Sequence, residues 1–258
     1  MSRHGRLRAE AGAASRSFLR RRTAVFFTFF FPVVLVLIFG VLVGSTAGGL
    51  FAEPAGYYLP GYLAVVVLFT PLSRVASEVA RHREGSRFEK LATTPLTRAE
   101  WLLAQTLVNV GLVGAAAALV FALVVVLTDA AVRASPVVLA TVALGTVLFC
   151  GVGALLGRLA DSQDGAISAA NAVGLPLLFL SETFVPPDLL PAWFRPIISL
   201  SPLTYFARAT RHAVFTPELS AGGIAAYRAA VWPNLAVLTV LAVASFALGA
   251  VVVPTTDD

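Results

Sequence analysis

The chain has 258 residues, of which 58% are hydrophobic and 13% charged, and its mean hydropathy is +0.84. A soluble domain of this length carries about 25% charged residues, so the composition cannot clothe a water-facing surface and excludes an ordinary soluble domain. The net charge of +5 sits in two blocks beside apolar runs, without the aromatic-and-basic groove pattern of single-strand binders; this argues for a membrane partner and against nucleic acid.

In chain order, residues 1–22 are rich in arginine: Arg3, Arg6, Arg8, Arg16, Arg20, Arg21 and Arg22. Leu7, Ala11, Ala14, Phe18 and Leu19 fall near helical spacing on one side. The pattern predicts an amphipathic helix lying in the membrane interface. The apolar runs that follow predict six transmembrane helices, at about 23–43, 57–75, 102–127, 136–156, 166–180 and 231–253. The first run lacks a small-residue cleavage site at its end and reads as a retained span. Pro32 lies within it, which neighbouring helices tolerate in a membrane. Tyr57, Tyr58 and Tyr62 suit an aromatic belt at the second span. Residues 181–212 alternate prolines and charges with apolar stretches too short to cross, and predict a re-entrant helical hairpin before the last span. The fold class is therefore all-α, a polytopic membrane helix bundle, with residues 23–258 forming one transmembrane domain.

The arginines and lysine set the orientation. With the N-terminus inside, 14 of the 19 basic residues are cytoplasmic and 5 are outside. The positive-inside rule selects that arrangement, with the C-terminus inside too and the plasma membrane as location.

The catalytic motifs that would make this chain an enzyme are missing. There is no H-E-x-x-H and no G-x-S-x-G. A phosphate-binding loop needs Gly-Lys-Ser/Thr, and the sole lysine, Lys90, stands between Glu89 and Leu91. The lone Cys150 allows neither a disulfide within the chain nor a cysteine metal cluster. His4, His82 and His212 are scattered. Asp161 and Asp164 read as a solvated turn.

The most charged stretch, 78–100, predicts a charged hairpin on the cytoplasmic face. A break at Gly85 precedes a short helix from Ser86 to Ala92, and Thr93, Thr94 and Pro95 stop it. Thr97 followed by Glu100 is a capping-box pattern that opens the third span.

This stretch resembles the first cytoplasmic loop of type-two ATP-binding-cassette (ABC) permeases, through Glu89, Leu91, Thr94, Pro95, Leu96, Thr97 and Arg98. Gly85 directly after Glu84 departs from that pattern. Leu59-Pro60-Gly61 resembles the Leu-Pro-Gly of daunorubicin-type drug-export permeases. Val185-Pro186, Leu190-Pro191, Trp193-Phe194, Ser201-Pro202-Leu203-Thr204-Tyr205 and Arg211 resemble that family's segment before the last span. The resemblance implies an exporter permease subunit for lipophilic or amphipathic cargo. It works as a homodimer or related heterodimer within membrane lipid, beside a cytoplasmic ATPase that holds ATP and Mg; no cofactor is expected on this chain. Glu84, Arg87, Phe88, Glu89, Lys90 and Leu91 would couple to the ATPase. Thr70, Ser73, Ser168, Asn171, Ser181 and Glu182 would line the substrate path. Glu182 departs from the family's small residue there, and either lines the exit or sits idle at the outer interface. The alternative reading is a permease-like sensor, resistance or assembly factor without its own transport cycle.

Overall fold

The computed structural model describes residues 3–43, 53–86, 88, 93–128, 130–184 and 190–253, the side chains of 42–43 and 216–225 excepted. Among these residues the protein is helical, apart from turns and a single bridge between Val132 and Phe215. The helices are α1 (Arg3–Arg20), α2 (Arg22–Leu35), α3 (Leu59–Glu84), α4 (Arg98–Leu127), α5 (Pro136–Leu159), α6 (Gln163–Phe179), α7 (Arg195–Ile198), α8 (Pro202–Val214) and α9 (Thr216–Val252).

Among the described residues five helical segments are long and apolar enough to cross a membrane: Arg22–Val41, Ala55–Glu84, Arg98–Leu127, Pro136–Leu159 and Ala226–Val252. The expected fifth span, α6, has 17 residues, below the roughly 20 of a straight crossing. Two further differences have physical causes. The expected first span is not one uniform helix. Pro32 offers no N–H, and from Val36 to Val43 the chain winds as a wider π-helix. The last span, expected at 231–253, belongs to a helix that already begins at Thr216 and runs through Pro233.

The layering follows from which helices carry small or apolar residues all round. α3 is central: 78% of its most apolar stretch is buried, against 22% for α2 and for α9 and 28% for α4. α2, α4 and α9 instead present Phe27, Val126 and Val240 outward, as lipid-facing helices do. α3 packs on α5 and α6, and α5 packs on α9. Glycines on α5 permit these crossings. A Cβ at Gly157 would stand 2.4 Å from the Ala76 carbonyl oxygen, and one at Gly151 2.3 Å from the Ser245 backbone. Within 181–212 lie a turn at 181–184, the short α7, and α8, which packs against α3, α5 and α9.

Candidate functional site: the charged end of the bundle

α3 ends in a run of charge, and charges on either side of the α3–α4 connection meet the ends of other helices. Arg83 donates to the carbonyls of Arg158 and Ala160, 2.8 and 2.9 Å away, at the C-terminus of α5. Glu84 accepts from the Gln163 backbone N–H at 2.9 Å, at the N-terminus of α6. Arg98 donates to the Val251 carbonyl at 3.1 Å, at the C-terminus of α9. A cation at a helix C-terminus and an anion at an N-terminus both complement the helix dipole. The segment between α3 and α4 is thereby tied to three other helices.

The expected capping box is present: Glu100 N–H donates to the Thr97 hydroxyl, and Thr97 N–H to the Glu100 carboxylate. Gly85 caps α3, but it is Ser86 that takes the left-handed conformation, with φ of 47°.

Of the six expected coupling residues, Glu84 is exposed and bonded as described. Phe88 turns inward and is 3% exposed. Its ring stands edge-on to Trp101 with centroids 5.5 Å apart, and 5.2 Å from His82. Arg87, Glu89, Lys90 and Leu91 lie outside the described residues, as do Val185 and Pro186.

The N-terminal helix α1 docks at this same end. Glu78 on α3, 5% exposed, pairs with Arg21 at 3.1 Å and with Arg81. Glu100 on α4 pairs with Arg6 at 2.9 Å and Arg3 at 3.3 Å. Arg74 donates to the Asn109 side chain and to the Ala14 carbonyl, both at 3.1 Å, and lies over the Phe18 ring. Gln105 donates to Glu10. Burial raises the Glu10 carboxyl above its ordinary value; the Gln105 hydrogen bond opposes this and Glu78 adds to it. Sequence reasoning recognised α1 as amphipathic but missed this docking. Its signal is carboxylates at the ends of α3 and α4, facing a tail rich in arginine.

The six expected path residues fall in different places. Thr70 and Ser73 are half-buried, one turn apart on α3. Ser168 and Asn171 are exposed, one turn apart on α6, on a face continued by the exposed Leu175 and Phe179. Ser181 and Glu182 are buried at the opposite end of the bundle and bonded internally. Ser181 donates to the Leu178 carbonyl at 2.6 Å. Glu182 forms a two-point pair with Arg208 of α8. Arg211 donates to the backbone carbonyls of Tyr57 and Glu182 and lies 4.0 Å over the Tyr57 ring. The structure thus brings Ser181 and Glu182 together, and holds them apart from the α6 pair.

Helices of spanning length with apolar outer faces, clamped together at one charged end, define a multi-pass membrane protein. The profile of the ABC-2 type transporter family matches residues 9–215, and the chain belongs to that family of transporter permeases. It is also similar to the daunorubicin resistance ABC transporter permease protein DrrB1 of Streptomyces coeruleorubidus. The two are 27% identical over 187 residues, which take in 70% of this chain and 64% of the relative.

Proposed function

We propose that this chain is the permease subunit of an ATP-driven exporter in the plasma membrane, with the charged end and both termini cytoplasmic. A separate ATPase would bind and hydrolyse ATP with Mg, and this chain would carry no catalytic group. The observation that most supports the reading is the bonding of Arg83, Glu84 and Arg98, on either side of the α3–α4 connection, to the ends of α5, α6 and α9. A push there reaches three helices at once, through side chains bonded to the backbone at each helix end. Phe88 acts as the inward anchor of the segment. Glu84 and residues 87–91 offer the charge that an ATPase would meet.

A second copy of the chain completes the unit. Ser168 and Asn171 are polar groups on an open, otherwise apolar helix face at membrane depth, where an unpartnered amide is costly. In a dimer they face the other copy or the cargo between the two copies. α6 then makes the sixth crossing, and 181–212 re-enters from the outer side. A path bounded by so few polar groups suits a lipophilic or amphipathic cargo.

The test is ATP-driven uptake of a lipophilic dye into inside-out vesicles that hold this chain and its ATPase. Glu84→Lys should leave the complex assembled and ATP hydrolysed, while transport per ATP falls by about tenfold, within the usual span of a coupling energy. Unimpaired transport by that variant would overturn the assignment of Glu84. A stable complex without nucleotide-dependent transport would favour the sensor or assembly reading.

A further inference from the structure

Six of the seven arginines of the N-terminal segment fall into two sets, and the seventh, Arg8, is exposed near the start of α1. Arg3, Arg6 and Arg21 are consumed by Glu100 and Glu78. Arg16, Arg20 and Arg22 are exposed, and none has a hydrogen bond or ion pair among the described residues. On the α1 helix Arg16 and Arg20 lie opposite the docked residues Ala14 and Phe18, so they look away from the bundle. Leu19, between them in sequence, is 63% exposed.

α2 then begins at Arg22, and its outer ridge reads Arg22, Phe26, Phe30 at four-residue spacing. Phe26 and Phe30 are about half exposed, and their rings stack 4.4 Å apart. The inner ridge of the same helix, Thr28 and Pro32, is buried. Arg22 therefore heads an aromatic ridge that belongs to a span-length apolar helix, and the exposed Arg20 and Arg16 stand just before the bend between α1 and α2 and one turn further back.

We infer that this bend binds an anionic phospholipid, with Arg16, Arg20 and Arg22 around the headgroup phosphate and Phe26 and Phe30 along an acyl chain. The charge fits an anion, and guanidinium groups suit phosphate in particular. The aromatic ridge distinguishes this occupant from the ATPase, since a soluble protein does not reach side chains at membrane depth. Glu78 and Glu100, the carboxylates that the N-terminal arginines reach, are already paired within the chain. The inference extends the expected interfacial placement of α1, whose other face is bolted to α3 and α4. It does not depend on a transport cycle.

The experiment uses the full chain in bilayers of phosphatidylcholine, with a trace of spin-labelled phosphatidylglycerol or spin-labelled phosphatidylcholine. It reads the fraction of each label immobilised at the protein. The protein should immobilise the anionic label preferentially, and salt should weaken the preference as the screening length shrinks from about 10 Å to about 3 Å. Arg16→Gln, Arg20→Gln and Arg22→Gln should each lower it by up to about fivefold, the equivalent of about 1 kcal/mol per charge. The triple variant should lose it. Arg228→Gln, an exposed arginine on α9, should keep it. Equal immobilisation of the two labels by the unaltered protein would overturn the inference, and so would a preference that survives in all three single variants. No nucleotide or ATPase is present, so failure here leaves the exporter reading standing, and failure of transport leaves this one.

Discussion

Glu182 and Arg208 are 26 residues apart, and nothing in a single sequence pairs them. The structure supplies a two-point bond between them, with side-chain exposures of 4% and 33%. Removing one partner of a fully buried pair costs about 3–5 kcal/mol. Because Arg208 is one-third exposed, Glu182→Gln is expected to cost less, about 1–2 kcal/mol. A lower melting temperature in detergent, restored in part by Arg208→Met on the same chain, checks it. Glu10 predicts a pH effect. Its raised carboxyl keeps a proton in the folded protein over a range where the unfolded chain has released it. Its contribution to stability is therefore greatest at and below the ordinary glutamate range and is lost as pH rises through the raised value. Glu10→Gln retains an oxygen for Gln105 and should flatten that fall in a melting-temperature series against pH. An unchanged slope would mean that another group sets it.

Elements were legible where the cause was local. The Thr97–Glu100 capping box and the apolar runs are written in short spacings, and the structure has them. The π-helical turn from Val36 to Val43 was not legible, because Pro32 allows several responses downstream and packing selects one. Helix contacts were hidden for the same reason: a glycine in a membrane helix does not say what approaches it. Gly151 and Gly111 separate the cases. A methyl at Gly151 meets the Ser245 and Phe246 backbone, whereas one at Gly111 meets nothing within 4 Å. Gly151→Ala should destabilise the fold by about 1–3 kcal/mol as overpacking does. Gly111→Ala should be neutral or stabilise by about 0.5–1 kcal/mol, since glycine costs that much in a helix interior. Comparable melting temperatures for the two variants would contradict the α5–α9 crossing.

At the scale of the whole molecule, hydropathy and charge foretold a polytopic bundle with one strongly charged end. They did not foretell that α3 would be central, that α1 would be bolted across α3 and α4, or that the residues expected along one path would divide between an open face of α6 and a closed cluster near α8. Those outcomes depend on contacts between segments far apart in the chain. The account rests on the charged end being cytoplasmic and meeting a separate ATPase. The native Cys150 is fully buried, so Ser86→Cys, at an exposed loop position, adds one accessible thiol. In membrane vesicles that contain the ATPase, that thiol should react with an impermeant maleimide from the cytoplasmic side alone and crosslink to the ATPase in a nucleotide-dependent way. Labelling from the outer side, or no crosslink in vesicles that carry out ATP-driven transport, would contradict it.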